Sequence, residues 1–210
     1  EQDDAEAVKW FELAAEQAFP RALDLLGECY DFGCGVEQDI SKAVELYRAS
    51  SDGGYAPGIC AYGLCYELGR GVEMDKEKAV ELYRQAAEKG NARAQCNLGY
   101  CYYRGIGVEE DNVEAVKWFE KAAEQGYPRA QHLLGDCYDY GYGVEPDLNW
   151  ACQYYQLAHA SGYAPATCAL GLCYELGQGG LPEDKARAVE LYTEAAEKGD
   201  ARAQCNLGFC

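Results

Sequence analysis

Small and apolar residues recur along this chain with the spacing of one face of an α-helix. In the segment that ends at Gly105 they fall at Ala94, Leu98 and Cys101, which is the i, i+4, i+7 pattern of an amphipathic helix. The helix is predicted to stop at Gly105 and Gly107, because glycine readily adopts the positive φ angles that terminate helices. We call this predicted helix and its copies helix A.

A second helical pattern follows each helix A. After a loop that reads Gly-Val-x-x-Asp in most copies, an Ala precedes an aromatic residue by four positions and a further Ala follows three later, as in Ala79, Tyr83 and Ala86. This spacing predicts helix B. The Asp of the loop is placed to cap its N-terminus, at Asp39, Asp75, Asp111 and Asp147. A Gly is expected to close it, at Gly90, Gly126, Gly162 or Gly199.

The two helices form a unit that returns about every 36 residues. A Gly within helix A marks each copy, at Gly27, Gly63, Gly99, Gly135, Gly171 and Gly208. A unit of this size cannot bury its own apolar face and must stack on its neighbours. The segment from Glu6 also returns from Glu114, at an offset of 108 residues or three units. We therefore expect residues 1–210 to form a single array of about five to six units, grown by duplication of triplets and cut from a longer chain.

The shared pattern A-x-x-x-L-G-x-x-Y-x-x-G-x-G-V-x-x-D-x-x-x-A-x-x-[FY]-x-x-A-A-x-x-G closely resembles the Sel-1-like repeat, a relative of the tetratricopeptide repeat. The resemblance covers essentially the whole chain. It implies an all-α fold, a right-handed α-solenoid superhelix of antiparallel helix pairs with a 36-residue period, in which helix A lines the concave side. Family members serve mainly as adaptors, so the resemblance also implies a protein-binding scaffold. Gly58 and Ser50 depart from the pattern, since Ala stands at both positions in most other copies.

Charge narrows the possible partners. Asp and Glu number 36 against 18 Lys and Arg, which gives a formal net charge of −18. Such a surface repels phosphate backbones and anionic lipids, so we expect a basic protein or peptide as partner, no nucleic acid and no direct membrane binding. No stretch approaches the roughly 18 apolar residues of a membrane span, and no targeting signal can be read at the N-terminus.

The predicted binding surface is the face of helix A that lines the groove in tetratricopeptide repeats. In each unit it comprises the residues six and three before the repeat Gly and one, four and five after it. Aromatic and Arg side chains anchor many protein interfaces, and carboxylates beside them would accept Lys or Arg from a peptide. The candidate partner-binding residues are Glu67, Arg93, Tyr100, Tyr103, Arg104, Arg129, His132, Asp136, Asp139, Tyr140 and Glu175. The alternative is that the aromatic residues cover the seam between repeats and the charges are solvated surface.

The twelve cysteines fall into three classes by position. Those two residues after the repeat Gly stand where Ala would fit, and they are predicted to pack between helices. Those three residues before it are predicted to line the groove: Cys60, Cys96, Cys168 and Cys205. Cys34 and Cys152 are singletons. In cysteine-rich members of the family a disulfide joins the end of helix B to the next helix A, but Ala stands at that helix B position here. Reduced thiols in a reducing, cytoplasmic compartment are therefore favoured over a secreted protein.

Patterns for catalysis and metal binding are scarce. His132 and His159 are the only histidines, and no nucleophile motif, phosphate loop or HExxH sequence occurs. We predict no catalytic residue, no metal site and no cofactor. A metal site of Cys60, Cys96 and His132 is disfavoured, because adjacent packed helices lie roughly 10 Å apart and zinc ligands within about 2.3 Å of the ion. The enzymatic alternative, a weak hydrolase of the β-lactamase type described for cysteine-rich relatives, rests on the resemblance alone.

Overall fold

The computed structural model describes residues 4–209, which form twelve α-helices and no strand. The helices are α1 (Asp4–Ala15), α2 (Pro20–Phe32), α3 (Ile40–Asp52), α4 (Ala56–Leu68), α5 (Lys76–Glu88), α6 (Ala92–Arg104), α7 (Asn112–Glu124), α8 (Pro128–Tyr140), α9 (Leu148–Ala160), α10 (Ala164–Leu176), α11 (Lys185–Glu197) and α12 (Ala201–Leu207). Even-numbered helices are the copies of helix A and odd-numbered helices are the copies of helix B. The all-α repeat fold that the sequence predicts is confirmed.

The chain divides into an N-terminal half, Glu1–Glu110, and a C-terminal half, Asp111–Cys210. Each helix A packs against the helix B that follows it, α2 with α3 and α4 with α5 in the first half, α8 with α9 and α10 with α11 in the second. Successive A helices also touch, α2 with α4 and α4 with α6 in the first half, and α10 with α12 in the second. Each half is thus a stack of helix pairs whose A helices lie side by side.

Local sequence explains where helix B begins. Asp39 accepts a hydrogen bond from the backbone N–H of Lys42 at 3.0 Å, which satisfies one of the free amides of the first helical turn. The predicted caps at Asp75, Asp111 and Asp147 make the same contact. Asp184 caps α11 in the same way. The sequence reasoning missed this cap because a residue inserted near Gly180 moves it out of the strict spacing.

The repeat Gly lets the two helices of a pair approach closely. A Cβ atom at Gly27 would lie 2.7 Å from Cε1 of the Tyr47 ring, which is closer than carbon atoms can pack. The Tyr47 side chain is buried against this position. The same arrangement recurs in the C-terminal half, where the Tyr155 ring occupies the space that a Gly135 side chain would need. Because the repeat Gly has no Cβ atom, the helix B aromatic ring can fill the space beside it.

Two departures from the repeat compensate for each other. Ser50, which replaces the usual Ala of helix B, is fully buried, and its Oγ donates a hydrogen bond to the Pro20 carbonyl at 2.7 Å. A Cβ atom at Gly58 would collide with this Oγ. Because Gly58 has no side chain, the hydroxyl of Ser50 fits where other repeats place two Ala methyl groups. Packing between α3 and α4 is preserved.

Candidate functional site

Each half exposes large apolar side chains at the C-terminal end of its A helices. Five residues after the repeat Gly, Phe32 and Leu68 are 68% and 55% exposed in the N-terminal half. Tyr140 and Leu176 are 53% and 54% exposed at the same position in the C-terminal half. A single exposed apolar residue needs no explanation, but recurrence at one repeat position marks a surface suited to binding. We call the surface formed by these residues and by the A-helix side chains beside them the helix A face of each half.

Next to the apolar position, four residues after the repeat Gly, lies a carboxylate bonded to a buried tyrosine. Tyr83 Oη donates to Glu67 at 2.5 Å and Tyr192 Oη donates to Glu175 at 2.6 Å. A buried hydroxyl needs an acceptor, and a charged acceptor gives a stronger hydrogen bond. Burial first, and then the bond to Glu67, raise the pKa of Tyr83 well above its usual range, so its hydroxyl stays a donor. These bonds fix the carboxylates on the helix A face.

A small cleft opens beside Phe32 in the N-terminal half. Its walls include Asp31 and Arg93 on the A helices, together with Arg70 in the loop after α4. Arg70 Nη2 donates to Asp31 Oδ1 at 2.5 Å, an ion pair that ties the loop to α2. Tyr47 Oη reaches the same carboxylate only at 3.5 Å. In this half, therefore, Arg70 is the main partner of Asp31.

Asp24 lies on α2, one turn before Glu28, and is 5% exposed. Burial first, and then the negative charge of Glu28, raise its pKa to about 6, although Arg93 acts in the opposite direction. A carboxylate that is buried in this way is costly to ionise. Asp24 therefore titrates close to neutral pH, unlike an ordinary aspartate.

The C-terminal half has the same cleft, built from residues 108 or 109 positions later. Asp139 and Arg202 line it in place of Asp31 and Arg93. Tyr155 Oη donates to Asp136 at 2.9 Å and contacts Asp139 at 3.3 Å. Gln178 stands at the position of the loop arginine of the first half. The tyrosine hydroxyl thus serves two carboxylates in this half.

His132 occupies the place in the C-terminal half that Asp24 has in the N-terminal half. Its Nε2 lies 3.6 Å from Asp136, and its ring packs 5.7 Å from the Tyr155 ring and 5.6 Å from the Tyr163 ring. Burial lowers the pKa of His132, although Asp136 acts in the opposite direction. Burial also raises the pKa of Asp136. At neutral pH the imidazole is therefore uncharged.

The remaining predicted partner-binding residues lie on the A helices, outside these contacts. Tyr100 and Tyr103 are half-buried on α6, with ring centroids 6.3 Å apart, and Arg104 is exposed at the end of that helix. Arg129 is half-buried near the start of α8. As partner-binding residues, these four and the other seven stay predictions.

The prediction that cysteines line the groove is wrong for Cys60, Cys96 and Cys168, which are at most 1% exposed. The position three before the repeat Gly faces the neighbouring A helix, as shown by Asn97 Nδ2 of α6, which lies 3.9 Å from Cys60 Sγ of α4. Cys205 at the same position is exposed. The predicted burial of the class two residues after the Gly is confirmed at Cys65, Cys101, Cys137 and Cys173, whereas Cys29 is half-buried and Cys210 lies outside the described residues. The eleven cysteines within residues 4–209 are free thiols.

The clefts have neither the size nor the donors of a small-molecule or metal site. The space open to water is about 50 Å³ in the first half and about 10 Å³ in the second, whereas ligand pockets usually span roughly 300–1,000 Å³. Within the described residues, no three His, Cys, Asp or Glu side chains are placed to share a metal ion. None of the helices formed by residues 4–209 combines the length and the apolar character that a bilayer crossing requires.

Sequence reasoning missed the bond between the helix B tyrosine and the helix A carboxylate, although a signal for it exists. Four repeats combine a Tyr in helix B with an Asp or Glu four after the repeat Gly. The remaining repeat has Phe119 in helix B and Tyr103 in place of the carboxylate. Loss of the hydroxyl and loss of its acceptor thus occur together. Arg70 carried no such signal, because the residue between the two loop glycines differs in every copy.

Comparisons with known proteins place the chain among repeat proteins. The Sel1 repeat model matches residues 1–19, 20–55, 56–91, 92–127, 128–163 and 164–200. A Sel1 repeat protein from Oxalobacter formigenes is 34% identical, with a TM-score of 0.84 over 99% of this chain and 87% of that one. The antigen c5321 of uropathogenic Escherichia coli is 32% identical, with a TM-score of 0.64 over 99% of this chain and 52% of that one.

A more distant structure shares the fold alone. Immunity protein Pa5087 from Pseudomonas aeruginosa is 22% identical to this chain, with a TM-score of 0.63 over 96% of this chain and 76% of that one. A search of curated proteins gives no match.

Proposed function

Because this chain belongs to the Sel1 repeat family, whose fold is a protein-interaction scaffold type, we propose that it binds a basic segment of a partner protein along the helix A face. One observation carries the proposal: exposed apolar side chains recur beside carboxylates at fixed positions of the A helices. Phe32 and Leu68 stand next to Asp31 and Glu67 in the N-terminal half. A segment that alternates apolar and basic residues matches this surface.

Charge supports a basic partner. The chain carries a net charge of −18, so association with a cationic segment is accelerated and association with an anionic one is slowed. The carboxylates of the helix A face are also held in place before binding, since Glu67 and Glu175 already accept hydrogen bonds from buried tyrosines. Side chains that are already ordered lose less entropy when a partner binds.

The size of the clefts supports a protein over a small ligand. About 50 Å³ beside Phe32 and about 10 Å³ in the equivalent place of the other half are too little to enclose a metabolite. They suit the tip of one partner side chain while the rest of the segment lies on the exposed apolar residues. This type of contact is common in interfaces built around a few anchors.

A random peptide display selected against the protein tests the proposal. We expect the enriched peptides to carry Lys or Arg next to Leu, Ile or Phe. Binding should weaken at least about tenfold, or about 1.4 kcal/mol, when four exposed residues are changed together. That variant is Phe32→Ser, Leu68→Ser, Tyr140→Ser and Leu176→Ser.

A matched control removes the same number of exposed apolar side chains from B helices, with Trp10→Ser, Leu13→Ser, Val113→Ser and Val189→Ser. This variant should bind the selected peptides as the unmodified protein does. Equal loss in both variants, or enrichment of acidic peptides, would contradict the proposal. Unchanged circular dichroism spectra establish that both variants are folded.

A further inference from the structure

In two repeats of the N-terminal half, the tyrosine three residues after the repeat Gly is covered by a lysine of helix B. Lys42 Nζ lies 4.0 Å from the Tyr30 ring centroid and donates to the Tyr30 hydroxyl. Lys78 Nζ lies 4.2 Å from the Tyr66 centroid and donates to the Tyr66 hydroxyl at 2.7 Å. A cation over an aromatic face is attracted by the quadrupole of the ring. The repeat thus supplies its own cation to this ring.

The C-terminal half has two equivalent tyrosines, and they differ. Arg187 stands at the lysine position for Tyr174, whereas Tyr138 has an indole in place of that cation. Trp150 stands at the position of Lys42 and Lys78, and Tyr154 stands where the N-terminal half has Leu. The Tyr138 ring lies 5.8 Å from the Tyr154 ring at an interplanar angle of 13°. Trp150 lies 6.4 Å from Tyr138 and 6.1 Å from Tyr154, at angles of 32° and 31°. The result is a trio of rings in which Tyr138 and Tyr154 stack and the indole of Trp150 is tilted against both. Trp150 is 49% exposed.

Carboxylates of α7 lie next to this aromatic trio. Glu120 and Glu124 line an open cleft of about 410 Å³ together with Tyr154 and the exposed Leu157. After burial and the neighbouring Tyr138, Glu120 and Glu124 raise the pKa of Tyr154, so their negative field reaches the ring. The lysine of the same helix turn, Lys121, lies 3.9 Å from the Trp118 ring. α7 therefore presents acidic side chains to the cleft.

We propose that Tyr138, Trp150 and Tyr154, with Glu120 and Glu124, form a second binding site that takes an arginine side chain from a partner protein. The planar guanidinium stacks on aromatic rings and forms paired hydrogen bonds with carboxylates, and both features are present here. At Tyr138 the partner supplies the cation that Lys42 and Lys78 supply to Tyr30 and Tyr66 within the chain. The site lies on α7, α9 and the side of α8 that carries Tyr138, so it is separate from the helix A face residues of the proposed function.

The probe is a short, capped glycine–serine peptide that carries two arginines, compared with the same peptide carrying neutral citrulline at both positions. Binding is followed at physiological salt by the indole N–H signal of Trp150 and the methyl signals of Leu157 in nuclear magnetic resonance spectra. We expect the arginine peptide to shift both signals saturably. The citrulline peptide should bind at least about tenfold more weakly, because it has no charge to pair with the rings and carboxylates.

Trp150→Lys is the decisive variant, because it rebuilds the lysine–tyrosine pair that the N-terminal half already contains. It should fold normally and should weaken the arginine peptide at least about tenfold at the Leu157 signals. Gln153→Lys adds the same charge at an exposed position of the same helix and serves as its control. We expect this control to retain affinity within about threefold, since a single exposed charge contributes little at physiological salt.

Several results would overturn the site. These are equal binding of the citrulline peptide, full affinity of Trp150→Lys, or an equal loss in Gln153→Lys. If the arginine peptide instead shifts signals around Phe32, Leu68, Tyr140 or Leu176 and leaves Trp150 unmoved, this site is wrong while binding at the helix A face stands. The two proposals therefore fail independently.

Discussion

The N-terminal and C-terminal halves build the same cleft from equivalent positions but distribute charge in it differently. Asp24 in the first half is a buried carboxylate whose pKa is raised to about 6, and His132 at the same place in the second half is a neutral imidazole. Asp31 is paired with Arg70, whereas Asp139 shares the hydroxyl of a tyrosine with a second carboxylate. Repetition of the backbone therefore preserves the shape of the cleft while single substitutions change its electrostatics.

The two halves consequently respond to acid in opposite directions. The folded-state pKa of Asp24 lies above its ordinary value of 3.8, so its stabilising contribution is complete below that value and is lost as the pH rises through about 6. The folded-state pKa of His132 lies below its ordinary value of 6.5, so its contribution is lost as the pH falls below 6.5. Acidification therefore favours folding at Asp24 and disfavours it at His132, where the raised pKa of the neighbouring Asp136 acts in the opposite direction.

The largest expected effect comes from removing the charge of Asp24. Asp24→Asn should raise the free energy of unfolding by about 2 kcal/mol at pH 8 and change it little at pH 4, because a carboxylate whose pKa is raised to about 6 no longer opposes folding at high pH. Urea unfolding followed by circular dichroism at pH 4, 6 and 8 measures this difference.

The matched substitution in the other half is His132→Asn. It should remove the loss of stability that the unmodified protein shows as the pH falls below 6.5, and it should have little effect at pH 8. If both variants shifted stability in the same pH range and with the same sign, the electrostatic difference between the halves would be refuted.

A smaller effect is expected from the helix B tyrosines. Tyr155→Phe should lower the free energy of unfolding by about 1.5 kcal/mol, because it removes the hydroxyl that donates to Asp136 and contacts Asp139. Tyr47→Phe should cost about 0.5 kcal/mol, because Asp31 keeps its ion pair with Arg70. Urea unfolding at pH 7 measures the loss of free energy of unfolding in both variants. Equal losses would show that Arg70 does not replace the Tyr47 hydroxyl as the partner of Asp31.

The helices could be predicted from the sequence because their signals are local. An Asp placed before a run with helical spacing caps helix B through its own backbone neighbours, as Asp39 does with Lys42. The exposure of Phe32 and Leu68 agrees with the sequence analysis, which placed the position five after the repeat Gly on the binding surface by analogy with tetratricopeptide repeats. Such features depend on positions a few residues apart.

The contacts between helices could not be predicted in the same way. Whether Cys60 faces solvent or the neighbouring A helix depends on how closely successive repeats approach, which the period of the sequence does not specify. The bond from Tyr83 to Glu67 spans 16 residues and requires the register between helices A and B. The stacked rings of Tyr138, Trp150 and Tyr154 were missed because the sequence reasoning averaged over the repeats, whereas they arise where one repeat departs from the others.

A backbone difference between the halves has an expected effect smaller than that of Tyr155→Phe. Ala18 has a φ of 56° before α2, and the equivalent Gly126 has a φ of 78° before α8. A left-handed conformation costs a residue with a Cβ roughly 1–2 kcal/mol, partly offset by the greater freedom of glycine in the unfolded chain. Gly126→Ala should therefore destabilise the protein by about 1 kcal/mol.

The reverse substitution, Ala18→Gly, should stabilise the protein by a similar or slightly smaller amount, about 0.5–1 kcal/mol. No heavy atom lies within 4 Å of a Cβ built at Gly126, so the comparison measures the backbone without new packing contacts. Melting temperatures and urea midpoints should move in opposite directions for the two variants. If both variants shifted them the same way, packing around these turns would differ between the halves, and their equivalence would extend only to the helices.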